Sequence, residues 1–231
     1  MSVYEIQFSK EGRLKYISHL DMMRLFRRAF KRAGLDLVYS NGFNPHPKIS
    51  LAVPLPLGFT SVAEMMDVET IADYAPEVLQ EKLQEKMPQG IGIINCIRAD
   101  RQHKKNLAAR CTKAKYAISL EGEKPLDTLI SPEDGFRFLA LDEILIEKWQ
   151  KKKKSYRQIN VRHMIHQFTL VPVANGDGSV YCNVFISTVL DAGSQSNLNP
   201  QLLIDAFLAW KGLDEKNINV EIQRQNLYFE E

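Results

Sequence analysis

A short proline-containing segment holds the side chains best suited to bind a polar ligand. Phe43, Asn44, His46 and Lys48 bring together an aromatic ring, an amide, an imidazole and an ammonium group. The ring can stack on a flat group, and the three polar side chains can pair with hydrogen-bonding or anionic groups. This combination favours a site for a flat, anionic or hydrogen-bonding ligand. The alternative is a rigid connector in which Phe43 fills a gap in the core.

The backbone around these side chains is expected to form a stiff loop. Asn41-Gly42 is a turn dipeptide, because glycine accepts positive φ without a steric penalty. Pro45 and Pro47 lack an amide hydrogen, which excludes the segment from a central strand. The residues before the two prolines are biased towards extended backbone. We therefore predict a rigid structural loop that contains Asn41, Gly42, Pro45 and Pro47.

Two histidines are candidates for acid–base chemistry. His19 and His46 could exchange protons in metal-independent RNA cleavage, with Lys48 stabilising an oxyanion. His19 follows Ser18, the predicted N-cap of a helix, where the helix dipole favours a neutral imidazole base. Either histidine could instead hold a loop through hydrogen bonds. We therefore assign no catalytic residue.

The cysteines argue against the common metal and cluster classes. Cys96, Cys111 and Cys182 are far apart and form no CxxC pair, unlike the ligands of a zinc ribbon or an iron–sulfur cluster. We expect them to be small buried apolar residues. The histidines also lack a recognised ligand spacing. The sequence therefore predicts neither a metal nor a cofactor.

Basic residues are concentrated in three stretches, although the formal net charge is only +2. These stretches are residues 10–48, 98–115 and 147–162, whereas residues 64–85 are acidic. One basic stretch is usually a solvated face, but three in one small protein favour a polyanionic partner. The residues expected to neutralise phosphates are Arg24, Arg27, Arg28, Lys31, Lys151, Lys152, Lys153, Lys154 and Arg157.

Hydrophobic periodicity predicts an α+β protein made of two similar halves. The first half has the order strand–helix–strand–strand–helix–strand, which is typical of a ferredoxin-like split βαβ unit with an antiparallel sheet. The second half repeats this order and carries an inserted basic hairpin. The predicted domains are a ferredoxin-like domain at 1–98, a basic linker at 99–113 and a second ferredoxin-like domain at 114–231.

Several local expectations follow from the same periodicity. Residues 14–17 are expected to extend the first strand, and residues 35–39 to form the second strand. Trp149 and Trp210 occupy apolar positions and are expected to pack in the core. The chain of 231 residues is 45% hydrophobic, and no apolar run approaches the roughly 20 residues of a membrane span. The N-terminus has no signal-like segment, so we expect a cytoplasmic protein without membrane contact.

Two motifs resemble those of a known bacterial family. Residues 16–21 read YISHLD, and residues 39–50 read YSNGFNPHPKIS. The chain resembles the radical SAM-linked proteins of unknown function, which occur alone or fused to the C-terminus of a radical SAM enzyme. A final strand containing Arg224 is also similar to the family pattern. Asn160 stands where the family often carries Asp, so this position receives no role.

The resemblance implies an association with radical SAM chemistry. It also implies an association with RNA, because genes of this family often neighbour those of ribonuclease and ribosomal proteins. The chain lacks the CxxxCxxC motif that would hold a cluster, so it would act as an accessory. We predict an RNA-binding protein that recognises or presents ribosomal or transfer RNA to a radical SAM enzyme. Phe43 would stack on an unpaired base, while Asn44 and His46 would hydrogen-bond a base edge.

Two other functions stay open. The first is a protein–protein adapter that docks on a radical SAM enzyme without touching RNA, through the acidic 64–85 face or the edge of the Met65-Met66 strand. The lesser alternative is a metal-independent endoribonuclease that uses His19 and His46. Whether any reaction is catalysed is left open by the sequence.

Overall fold

The computed structural model describes residues 1–99, 105–122, 126–150, 154–173 and 183–230. The chain divides into two compact units, one of Met1–Thr112 with Arg224–Glu231 and one of Lys113–Gln223. Each unit contains both helices and antiparallel strands, which confirms the α+β class. Among the described residues, every helix is too short or too polar to span a bilayer.

The first unit is built on an antiparallel sheet. Its elements are β1 (Ser2–Lys10), α1 (His19–Arg32), β2 (Ile49–Leu51), β3 (Thr60–Thr70), α2 (Pro76–Gln84), β4 (Ile93–Arg98) and α3 (Leu107–Arg110). Strand β1 pairs with both β3 and β4, and β2 pairs with the other side of β3. The resulting strand order is β4-β1-β3-β2.

The core of the first unit lies where α1 and α2 cover this sheet. Along β1, alternate side chains point into the core, including Tyr4, Ile6 and Phe8. The rings of Phe8 and Phe26 meet edge to face with centroids 4.8 Å apart, which fixes α1 against the sheet. Apolar residues at helical spacing therefore set which face of α1 is left for solvent.

Two segments of the first unit differ from the expected strands. Residues Gly12–Tyr16 form a 3-10 turn, because the chain reverses at Gly12 with a φ of 57°. Residues 35–39 contribute only isolated bridges, Leu37 to Thr70 and Tyr39 to Pro47. Proline offers no amide donor, so a continuous ladder opposite residues 45–47 is impossible.

The second unit has a comparable order of elements. These are β5 (Cys111–Gly122), α4 (Pro132–Leu139), β6 (Leu145–Gln150), β7 (Ser155–Asn160), β8 (Ile165–Val173), β9 (Asn183–Asp191), α5 (Pro200–Trp210) and β10 (Ile218–Phe229). The strand order is β10-β5-β9-β8, and β6 pairs with β7 in a separate hairpin. This hairpin was expected from the sequence as an insertion, and residues 151–153 lie outside the described part of the chain.

The boundaries of the units differ from the domains expected from the sequence. The predicted basic linker contains a short helix, α3, in which Leu107 and Arg110 are buried. Arg110 forms an ion pair with Glu5 of β1, with Nη2 and Oε1 3.3 Å apart. The last residues, from Arg224, belong to the first unit rather than the second. Long-range contacts of this kind leave no periodic signal in the sequence.

Candidate nucleic-acid interface

The proline segment forms a narrow, hydrogen-bonded loop, called here the proline loop (residues 39–48). The Ser40 amide donates to the His46 carbonyl at 2.8 Å, and the Lys48 amide donates to the Val38 carbonyl at 2.8 Å. The Ser40 hydroxyl accepts from the His46 amide at 3.0 Å. Gly42 has a φ of 124°, so the turn expected at Asn41-Gly42 needs the freedom of glycine. These hydrogen bonds therefore join the two ends of the loop and hold its backbone in place.

The tip of the proline loop projects into solvent. Phe43 is fully exposed, and Asn41, Asn44 and His46 are exposed beside it. The alternative in which Phe43 fills a gap in the core is therefore wrong. The ring of Phe43 is therefore available for stacking on a flat ligand group.

Lys48 has a different environment from the residues at the tip. Its ammonium lies 2.7 Å from Oε2 of Glu69 in β3, and the Glu69 amide donates to the Lys48 carbonyl at 3.1 Å. The ammonium is thus already paired with a carboxylate. Lys48 anchors the base of the proline loop on β3, and Asn44 and His46 are the polar side chains at the tip.

Helix α1 begins at a well-formed cap. The Ser18 hydroxyl accepts from the Asp21 amide at 3.2 Å and donates to Oδ2 of Asp21 at 2.7 Å. This hydroxyl is the main cause that holds the pKa of Asp21 below its usual value, and Arg24 acts in the same direction. Arg24 reaches Oδ1 of Asp21 at 3.1 Å. The N-cap expected at Ser18 is therefore present, and α1 begins at the next residue.

The basic residues of α1 divide between two sides of the helix. Arg27 lies over the Tyr39 ring, 6.0 Å from its centroid, and so faces the base of the proline loop. Arg28 and Lys31 line a groove on the other side, against residues 85–88. Successive residues on a helix point about 100° apart, which separates Arg27 from Arg28. The predicted site residues therefore form two adjoining surfaces rather than one.

The basic hairpin of the second unit carries an exposed aromatic pair that was not predicted from the sequence. Trp149 and Tyr156 stand opposite each other in β6 and β7, with ring centroids 5.0 Å apart. They are 49% and 66% exposed, so the expectation that Trp149 packs in the core is wrong. Lys154 and Arg157 are exposed in the same hairpin, whereas the predicted residues Lys151, Lys152 and Lys153 lie outside the described residues.

The first unit also contains a buried cluster of charged side chains that was not predicted from the sequence. Arg224 donates to Oε1 of Glu64 at 2.8 Å and to the Val53 carbonyl at 3.1 Å, and both charged side chains are almost wholly buried. Lys10 is buried beside them and donates to the Ile17 carbonyl at 3.1 Å. Burial lowers the pKa of Lys10, the Glu64 carboxylate opposes this, and the Arg224 guanidinium adds to it.

This cluster could have been found from the strand pattern. Lys10 and Glu64 occupy the positions of β1 and β3 that elsewhere hold core residues such as Phe8 and Met66. Glu64 was expected on an acidic face, and Met66 on an exposed strand edge. Both expectations are wrong, because β3 runs between β1 and β2 and its alternate side chains are buried.

His19 lies beside the buried cluster, not beside His46. It lines a small cavity of about 10 Å³ together with Lys10, Ser18 and Glu64. A space of that size holds about one water molecule. His46 is at the tip of the proline loop, and within the described residues no contact joins the two imidazoles. In the same described part, no group of three or more His, Cys, Asp or Glu side chains is placed to hold a metal ion.

The described cysteines are buried, as expected from the sequence. Cys96 and Cys111 are both buried, and Cys96 lies in the core of the first unit. Burial, with a smaller effect of Glu77, raises the pKa of Cys96 to about 11. This thiol is therefore protonated at neutral pH and a poor nucleophile or ligand. Cys182 lies outside the described residues.

The family assignment rests on a match over most of the chain. Residues 4–200 match the model of a family described as an uncharacterized protein conserved in bacteria, DUF2344. The chain belongs to this family. A comparison with curated proteins found no match.

Similarity to solved structures informs the fold alone. A chain of a structure titled "Crystal Structure of a Cbf5-Nop10-Gar1 Complex" aligns with a TM-score of 0.51 and 9% identity, over 99% of this chain and 50% of that chain. The DUF2344 protein thus spans about half the length of that chain. An unknown protein from Galdieria sulphuraria aligns over 96% of this chain and 98% of its own with 12% identity. Its TM-score of 0.27 is too low to indicate a shared fold.

Proposed function

We propose that this DUF2344 protein binds RNA in the bacterial cytoplasm and recognises or presents ribosomal or transfer RNA to a radical SAM enzyme. The finer description of the fold, two ferredoxin-like halves with a basic hairpin inserted in the second, is part of this proposal. It is supported by the strand orders β4-β1-β3-β2 and β10-β5-β9-β8. In both orders the first strand of the unit is central, as in a split βαβ unit.

The observation that carries the RNA proposal is the exposed ring of Phe43 on a braced loop. Because hydrogen bonds already hold the backbone of the loop, little backbone conformational entropy is lost when a base stacks on the ring. Base–aromatic stacking tolerates any base, because every base offers a flat face. Asn44 and His46 stand beside the ring, where they can hydrogen-bond the edge of the stacked base.

The position of the cations supports the same function. Arg27 lies against Tyr39 at the base of the proline loop, so a positive charge borders the exposed ring. Arg24 is exposed on the same helix. Guanidinium groups pair with phosphates in a forked geometry and add a cation–π contact with bases. An RNA strand stacked on Phe43 would therefore run along α1.

The link to a radical SAM enzyme rests on the family resemblance of the two sequence motifs. The accessory role agrees with the chemistry of the chain, which has no CxxxCxxC motif. A radical SAM enzyme needs three cysteines to hold its cluster, so the partner would supply the reaction and this protein the RNA.

The RNA proposal predicts a specific loss of affinity for Phe43→Ala. Removing the ring should weaken binding of labelled transfer RNA or ribosomal RNA fragments by about 1–3 kcal/mol, measured by fluorescence anisotropy. Phe136→Ala is the matched control, because Phe136 is also strongly exposed but lies on α4 of the second unit. Wild-type protein that binds no cellular RNA at low salt would end the proposal.

An adapter function has one observation in its favour. The Gly58 amide donates to the Lys15 carbonyl at 2.9 Å, which brings the exposed Leu57 next to the exposed Tyr16. Exposed apolar side chains on neighbouring segments are typical of a protein-docking surface. If this is the only function, a radical SAM enzyme should co-purify with the wild type and not with the Leu57→Asp variant. Neither the wild type nor the variant should then bind RNA.

A further inference from the structure

A groove beside α1 combines an apolar floor with a cationic rim. It lies between the helix and residues 85–88 and has a volume of about 750 Å³. This falls within the range of pockets that hold small organic ligands, which are mostly apolar with a few polar groups for orientation. The groove belongs wholly to the first unit and is separate from the proline loop.

The floor of the groove is formed by side chains that the core holds in place. Leu14 and Met87 are partly buried and pack against the core of the first unit, and Leu25 and Pro88 complete the floor. The wall opposite α1 is fixed by Arg32, whose guanidinium donates to the Lys86 carbonyl at 2.6 Å. The floor is therefore a preformed apolar surface rather than a gap that would close.

The rim of the groove carries cations that have no carboxylate partner. Arg28 and Lys31 are exposed, lie one helical turn apart on α1, and form no ion pair with any described residue. By contrast, Lys86 on the other side is paired with Glu85, with Nζ and Oε2 3.2 Å apart. The two unpaired cations give this side of the groove a net positive charge, which selects an anion.

We propose that this groove binds one nucleotide of a single-stranded RNA. The base lies on the floor formed by Leu14, Leu25 and Met87, and its phosphate pairs with Arg28 and Lys31. A nucleotide joins an apolar face and a phosphate within one residue, which matches an aliphatic floor bordered by two cations, whereas an acidic peptide offers charge without an apolar face in the same residue. This inference rests on the proposed RNA binding and adds a second contact, on the surface of α1 that adjoins the one facing the proline loop.

The experiment is ultraviolet crosslinking of the full chain to an oligouridine that contains thiouridine, followed by mapping of the crosslinked peptides. We expect crosslinks in peptides that contain Leu25 or Met87, in addition to those from the proline loop. The double variant Arg28→Ala/Lys31→Ala should lose the groove crosslinks and keep those at Phe43. The slope of log affinity against log salt concentration should fall by about 0.7, as expected for the loss of one phosphate contact to a single strand.

The matched control is Lys82→Ala/Lys216→Ala, which removes two exposed cations outside the groove. Crosslinks confined to the proline loop would overturn the groove proposal and leave RNA binding in place. Equal effects of the two double variants would also overturn it, as would displacement of the oligouridine by polyglutamate at equal concentration. Absence of any RNA binding would overturn both proposals.

Discussion

At the scale of single residues, the buried trio of Lys10, Glu64 and Arg224 is the most unusual feature of the first unit. Glu64 and Arg224 are 160 positions apart in sequence, and their ion pair is almost wholly buried. Arg224 forms an ion pair with Glu64, and Lys10 is buried beside the same carboxylate, so loss of this carboxylate would remove a negative charge that compensates buried cations. The trio therefore ties the last strand to the first unit.

This arrangement predicts a large cost for Glu64→Gln. The variant should lose about 3 kcal/mol of unfolding free energy in urea denaturation, because the Arg224 charge stays buried without its partner. Glu69→Gln is the matched control, since its pair with Lys48 is partly exposed and should be worth less than about 1 kcal/mol. Equal losses in the two variants would show that burial does not set the strength of the pair.

The lowered pKa of Lys10 predicts a pH-dependent stability. Burial is its main cause, so the folded protein binds this proton less tightly than the unfolded chain, whose lysine keeps a pKa near 10.5. Between the two pKa values the unfolded chain holds more protons, and the contribution of Lys10 to stability rises with pH. The free energy of unfolding of the wild type, measured by urea denaturation, should therefore rise relative to that of Lys10→Met as the pH is raised towards 10.5. A difference that is constant with pH would contradict this.

At the scale of elements, α1 organises both candidate surfaces. Its buried stripe, Met22, Phe26 and Phe30, fixes the rotation of the helix on the sheet. That rotation sends Arg27 towards the proline loop and Arg28 towards the groove. A change in how α1 is packed or capped would therefore disturb both surfaces together.

The helix cap gives a prediction at this scale. Ser18→Ala should cost about 1 kcal/mol of unfolding free energy, because the hydroxyl that accepts from the first turn is lost. Ser18→Thr keeps the hydroxyl and is the control. Thermal unfolding of the three proteins measures the effect, and an alanine variant as stable as the threonine variant would show that the cap contributes little.

At the scale of the whole molecule, the charge distribution matters more than the net charge of +2. Arg27 borders the proline loop, Arg28 and Lys31 line the groove, and Arg157 lies on the basic hairpin. A polyanion that meets several such patches releases condensed counterions from each, so its affinity falls steeply with salt.

The salt dependence of RNA binding is therefore the prediction at this scale. Replacing Arg24, Arg27 and Arg28 by alanine should reduce the slope of log affinity against log salt concentration by about 2, the value for three phosphate contacts to a single strand. A triple variant of exposed cations elsewhere, Arg13, Lys82 and Lys216, should leave the slope almost unchanged. Equal slopes for both triple variants would mean that binding follows total charge alone.

The sequence by itself determined the features that depend on neighbouring residues. The turn at Asn41-Gly42, the cap at Ser18, the buried stripe of α1 and the inserted hairpin were all predicted, because backbone φ preferences, caps and side-chain periodicity act within a few residues. The α+β class followed from the same signals, whereas the strands expected at residues 14–17 and 35–39 and the linker expected at α3 did not form.

Only the tertiary structure decided which distant groups meet. The pairing of Glu64 with Arg224, the exposure of Trp149 and the division of the α1 cations between the proline loop and the groove depend on which strands and turns lie against each other. A charged residue at a core-facing position of a strand gives the same sequence pattern whether its partner is a nearby residue, a distant residue or water. The strand pattern marks Lys10 and Glu64 as core-facing, but which distant group each of them meets is a property of the packed chain.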